Sequence, residues 1–396
     1  MNRRLSYLGL GAILTLGMLL ARDANSCPFC TSVAQTFSEE FATVDAIVIA
    51  QLEQLPPPSN EVPDPTQPPP SAKFTIVEVL KGREAVGSLK ELTTVFFGEG
   101  KQGDKYLITG VDPKDLFWST PLKIEARQHQ YILDLMKLPE DGATRLEFFQ
   151  RFLEDTDKIL SQDAYDEFAR APYATVKQLK AKMDHDQLIK WIHDKQIPAS
   201  RKRLYFTMLG VCGGKDDLPF LEQRLRSNEP EAKSGLDALI ACYLTLSGAD
   251  GLPLVEELFF KKPKQFTTDN YADVYAAIMA LRFHGTEGDV LTRPRILQAF
   301  TLLFDNIQMA DLVIPDFARW EDWTHLDRFT AMYKSEEAKS AYVRMPIVRY
   351  ALACPLPEAK KALEVFQEVD PGAYKRALTS MPQPPAETAP APAKAG

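Results

Sequence analysis

Histidine and cysteine are both scarce, with five of each in 396 residues, and their scarcity narrows the chemistry available. No HExxH, GxSxG, GxxxxGK[ST] or EF-hand loop pattern occurs, so zinc-protease, serine-hydrolase, nucleotide and calcium chemistry have no visible address. His185 and His193 lie two helical turns apart among Asp184, Asp186 and Asp194. They lack the i,i+4 spacing of a helical chelate and are expected to be exposed, ion-paired side chains. Positive charge is also short: 46 Lys and Arg against 54 Asp and Glu give a net charge of −8. No basic run exceeds Arg201-Lys202-Arg203. An acidic surface repels phosphate backbones, so nucleic acid is not an expected partner.

Long apolar runs are absent except near the start. Arg3 and Arg4 precede the stretch Leu5 to Leu20, which Gly9, Gly11 and Gly17 interrupt, and Ala24-Asn25-Ser26 supplies small residues ahead of Cys27. This pattern predicts a secretory signal, residues 1–26, cleaved before Cys27. The run is shorter than the roughly 20 residues that span a bilayer, so no stable membrane span is expected after cleavage. Cleavage removes three basic residues and one acidic residue, leaving 43 basic against 53 acidic. Ala24 stands where a lipidation signal wants a large aliphatic residue, which favours a soluble exported protein, periplasmic or extracellular.

The mature chain reads as two halves followed by a tail: 27–138, 139–380 and 381–396. The first half holds strand patterns at Asp45 to Leu52, Lys73 to Leu80, Leu89 to Phe97 and Asp104 to Thr109. Residues 56–70 carry eight prolines and form an extended solvated loop between the first two. Short strands with no long helix between them predict a small antiparallel β-barrel, closed by a helix at about Ala126 to Lys137. The order of the Cys27 and Cys30 pair, a short helix, a strand, a variable loop, then FTIVEVLKG (74–82) and GDKYLITG (103–110) resembles the netrin-like module. That is the OB-type barrel of tissue inhibitors of metalloproteinases. The resemblance implies the fold. The module's cysteine partners are missing, since no cysteine occurs between Thr31 and Val211.

After Pro139 the apolar period becomes helical, with segments at 145–153, 162–170, 176–183, 200–213, 217–226, 271–284, 295–304, 314–332, 340–354 and 357–369. Asp216-Asp217-Leu218-Pro219-Phe220-Leu221-Glu222 returns as Asp250-Gly251-Leu252-Pro253-Leu254-Val255-Glu256. A recurrence at this spacing predicts an all-α, HEAT-like array of stacked helix pairs. The segments ADLVIPDFARWEDW (310–323) and YALACPLPEA (350–359), with the CPFC start, resemble a family of exported planctomycete-type bacterial proteins, a likeness that carries no activity with it. The Pro- and Ala-rich residues 381–396 cannot bury a core and are expected to be disordered.

Cys27-Pro28-Phe29-Cys30 leaves several roles open. Thr31 occupies the histidine position of a covalent haem motif, and no second pair completes a zinc ribbon. A local disulfide between Cys27 and Cys30 is the first expectation in an oxidising compartment, and a redox-labile pair the second. The netrin-like resemblance implies a third, in which Cys27 chelates a protease metal. Arg319, Trp320 and Trp323 form the densest mixture of aromatic and charged groups, with the two tryptophans on one helical face. They are the candidate interface. The expected function is a non-enzymatic, cofactor-free scaffold that binds an unidentified protein of the cell envelope. The alternatives are a periplasmic thiol-disulfide protein and a metalloprotease-inhibitor-like module.

Overall fold

The computed structural model describes residue 29 and residues 34–56, 68–261, 268–339 and 342–379. The Cys27 and Cys30 pair, the centre of the proline-rich loop and the tail lie outside these residues.

Helix α1 (Phe37–Thr43) starts where the Thr36 hydroxyl accepts from the Glu39 amide and the Glu39 carboxylate accepts from the Thr36 amide, which satisfies two otherwise orphaned donors. The β-branched segments then form strands: β1 (Ala46–Gln54), β2 (Ser71–Lys81), β3 (Glu91–Val95), β4 (Lys105–Val111), β5 (Phe117–Trp118) and β6 (Leu122–Lys123). A single turn, α2 (Arg83–Val86), separates β2 from β3, and α3 (Ala126–Leu135) follows β6. All pairings are antiparallel in the order β3-β2-β1-β4-β5, with β6 beside β4. The two ends of the sheet meet where the Thr94 hydroxyl donates to the Trp118 and Ser119 carbonyls at 3.0 and 3.1 Å. The result is a nearly closed barrel, whose last two strands were too short to leave a periodic signal in the sequence. Gly82 closes the β2 turn at φ +74°, with Asp45 O 2.1 Å from where a Cβ would sit.

The central strand is buried on both faces. Ala46, Val48, Ala50 and Leu52 point into the barrel with Phe74, Phe96 and Tyr106, whose rings meet edge to face at 5.3–5.9 Å. Ile47 and Ile49 point the other way, into a core shared with α1, α3 and the helical half. That double burial is why this stretch reads as a continuous apolar run and not an alternating one.

Across residue 139 the core does not break. Tyr131 of α3 packs on Phe148 and Phe152, at 5.1 and 4.8 Å, around the end of α4 (Ala143–Gln150). Then come α5 (Lys158–Arg170), α6 (Tyr173–Gln178), α7 (His185–His193), α8 (Ala199–Cys212), α9 (Leu218–Arg226), α10 (Leu236–Ser247) and α11 (Leu252–Val255). A π-helical turn, Glu256–Lys261, extends α11. The chain resumes as α12 (Thr268–Thr286), α13 (Arg293–Phe300), α14 (Ile307–Arg319), α15 (Leu326–Lys334), α16 (Arg344–Ala353), α17 (Glu358–Val369) and α18 (Pro371–Thr379).

These helices stack in a regular way. Helices α8, α10 and α12 form one row, α14, α16 and α18 another, and α7, α9, α13, α15 and α17 each back a row member. The sequence echo has a structural counterpart. Both copies form a 3-10 turn followed by a helix with proline, Pro219 or Pro253, in its first turn. Two arginine–aspartate pairs, Arg203–Asp237 and Arg282–Asp316, tie helices together at the same sequence spacing. By length and composition Leu236–Lys261 could cross a membrane, but α10 lies in the core between α8 and α12.

The expected helix over 314–332 is instead two. Helix α14 begins earlier, at Ile307, with Asn306 accepting from the Gln308 amide, and carries Pro315 in its interior. It ends at Arg319, and Glu321 enters the left-handed region at φ +59°. The expectation placed the proline at a helix start, whereas here packing of Val313, Ile314 and Phe317 holds the helix through it.

Candidate functional site

Asp316 anchors the region that the sequence singled out. Its carboxylate has no exposed surface, and Arg282 grips it from α12 through Nε and Nη2 at 3.0 and 2.7 Å. One turn on, Arg319 Nη1 donates to Asp316 Oδ1 at 2.6 Å while 53% of the Arg319 side chain stays exposed. A surface guanidinium is thus held by a buried carboxylate that a second arginine already neutralises.

Trp320 and Trp323 do not share a helical face, because α14 has ended. Trp320 is half-buried, lies parallel to Phe300 at 6.5 Å and receives the Arg293 guanidinium at 5.9 Å. Gly285 makes room for it; a Cβ there would come within 2.4 Å of the indole. Trp323, also half-buried, turns to Tyr350 of α16 at 5.1 Å. Arg319 is the exposed member of the three, and the tryptophans fix the turn beneath it.

The two histidines are held apart. His185 Nε2 meets Asp217 at 2.8 Å and Nδ1 meets Asp186 at 3.1 Å; the bonds to Asp186 and then Asp217 raise its pKa. It thereby links the start of α7 to the turn before α9. His193 is exposed and lies over Phe220 at 4.9 Å. Among the described residues no three His, Cys, Asp or Glu side chains gather as a metal group.

A polar junction that sequence reasoning missed sits where α1 crosses between the halves. The Phe37 amide donates to Asp163 Oδ1 at 2.8 Å, Arg145 donates to the Ser38 hydroxyl, and Arg170 Nε reaches Glu39 at 2.6 Å. The next two residues face the barrel: Glu40 accepts from the Thr109 hydroxyl at 3.0 Å, and the Phe41 carbonyl from Lys81 Nζ at 2.7 Å. Asp163 also accepts from the Tyr131 hydroxyl at 2.6 Å. Burial pushes the Asp163 carboxyl up to about 6 and raises the Tyr131 hydroxyl far above its ordinary value. Arg145 is held in turn by Glu167 at 3.1 Å. Clefts of about 430 and 330 Å³ flank this junction, the first walled by Arg145, Glu167 and Arg170, the second by Lys158, Gln162 and Asp163. Arg145 pairs with Glu167 and Arg170 with Glu39, so the arrangement joins the halves. The only sequence trace was the capping pattern from Thr36 to Glu39.

Phe29, between the two N-terminal cysteines, is 3% exposed and lies in the helical half, 5.2 Å from Phe283. The remaining thiols are Cys212, pushed up to about 11 by burial, Cys242, raised by complete burial, and buried Cys354. Burial that raises the Cys212 and Cys242 thiols makes those two poor nucleophiles. No protein-family model matches the chain, and neither a curated protein nor a solved structure matches it.

Proposed function

We infer that this is an exported, non-enzymatic binding protein that works after residues 1–26 are removed, with a partner in the cell envelope. The reading treats the barrel as an OB-type, netrin-like unit, supported by its β3-β2-β1-β4-β5 order with β3 returning to β5. It treats the helical half as a HEAT-like array, supported by the two arginine–aspartate pairs at repeat spacing. Stacked helix pairs present extended surfaces that serve docking. The observation that carries the proposal is Arg319, an exposed guanidinium pre-positioned on buried Asp316 beside a ring-supported turn. Little side-chain entropy remains for such a group to lose on binding, and arginine is among the residue types that anchor interfaces.

The test is affinity capture from envelope extract with the wild type and with Arg319→Ala, alongside the melting temperatures of both. A partner retained by the wild type and lost by a variant of unchanged stability supports the reading. Identical captured proteins would remove Arg319 from any interface.

A further inference from the structure

The ring of Phe29 occupies a niche between helices that belong to a distant part of the chain. Its walls are Tyr173 of α6, Phe206 and Gly210 of α8, Cys242 and Thr245 of α10, and Phe283 of α12. Phe283 is itself set edge-on to Tyr173 at 5.0 Å, and these two rings, together with Phe206 and a floor of small side chains, shape the niche around a ring. Gly210 keeps the floor low; a Cβ there would make only ordinary contacts, with the Cys242 backbone at 3.5 Å and Thr245 at 3.7 Å, so a larger side chain is needed to fill it. With Phe29 in place about 10 Å³ remains unfilled, at most the room for one water. Phe29 itself lies in a turn, and the first helix among the described residues, α1, starts at Phe37.

From these facts we propose that the niche is a binding site for a phenylalanine side chain, and that its resident ligand is the chain's own residue 29. The aromatic comes from a residue more than 140 positions before the walls that receive it, and it shares the niche with Cys242, which is 2% exposed. Apolar burial drives entry, and Phe283 adds a directional ring contact at 5.2 Å. The site is independent of the partner-binding reading, since its ligand is part of the same molecule.

The experiment uses the full chain carrying Phe29→Ala and a labelled peptide of residues 26–33 bearing Cys27→Ser and Cys30→Ser, so that no thiol exchange contributes. The variant binds this peptide saturably, the wild type binds it at least about tenfold more weakly because its niche is filled, and a peptide also carrying Phe29→Ala does not bind. Gly210→Leu in the Phe29→Ala background fills the floor and abolishes binding. Alkylation of Cys242, followed by peptide mapping, accelerates in Phe29→Ala and slows again when the peptide is added. Should Phe29→Ala fail to fold, Phe29→Leu takes its place, and the same peptide must displace the smaller side chain and slow alkylation. Equal peptide binding by wild type and variant, or no binding with Cys242 still protected, would overturn the proposal.

Discussion

The Tyr131 hydroxyl donates to the Asp163 carboxylate at 2.6 Å, joining the helix that closes the barrel to the second helix of the helical half. Burial is the main cause of the raised Asp163 pKa, and the Tyr131 and Phe37 donors oppose it. The folded value, about 6, lies above the unfolded one, so the proton stabilises the fold. This contribution is fully present below about pH 4 and is lost as pH rises through about 6. We expect urea midpoints of the wild type to fall between pH 4.5 and 7 relative to Asp163→Asn, in which this titration is gone. Parallel profiles for the two proteins would assign the pH response elsewhere.

Tyr131→Phe removes one donor from the same buried carboxylate. The expected loss is about 1–3 kcal/mol near neutral pH, shrinking in acid as Asp163 takes up its proton. Denaturant titrations at two pH values measure both the size and the trend.

Separating the halves at residue 139 cuts a continuous core. Ile47, Ile49, Tyr131, Phe148 and Phe149 share one cluster, and α1 bonds to both sides. The apolar period that divides the chain into two halves changes there, but the core runs on. We expect each fragment to bind a hydrophobic dye and to melt below the intact protein, and the mixed fragments to reassociate. Calorimetry that gave two unchanged melting transitions for the isolated fragments would restore independence.

Arginines on either side of Asp316 are expected to differ sharply. Arg282→Met leaves a carboxylate with no exposed surface to a single, largely solvated partner, a loss of about 3–5 kcal/mol. Arg319→Ala keeps the Arg282 bonds and is expected to cost about 1 kcal/mol or less. Thermal melts of the two variants decide it, and comparable losses would contradict the geometry.

Gly82→Ala meets two obstacles at once: a left-handed backbone and the Asp45 carbonyl. We expect a loss of about 2 kcal/mol or more, read from barrel-specific hydrogen exchange.

Much of this fold was legible because local signals agreed with tertiary ones. β1, β2 and β4 are β-branched runs ended by turn residues, and α9 and α17 keep their apolar period between evident stops. The failures have physical causes. Pro315 suggests a boundary, yet α14 passes through it because its buried face outweighs one lost hydrogen bond. Trp320 and Trp323 have helical spacing, but Glu321 in the left-handed region sends them to different neighbours. Arg319 was visible as a residue type, whereas its support by Asp316 and Arg282 depends on helix stacking. The α1 junction left no trace beyond the Thr36 to Glu39 capping pattern, since Phe37, Tyr131, Arg145 and Asp163 come from four separate elements.

Phe29 and Phe283 touch although the chain from residue 30 to residue 282 intervenes. In vectorial synthesis the first of these rings emerges long before the α12 wall that receives it. Contacts between such remote positions form late, since chain closure must be achieved before they reward it. Phe29 therefore has no complete niche to enter while the barrel and the first helix pairs assemble. Its seating is one of the last events of maturation, a mark of a completed array that protease sensitivity around residue 29 would time.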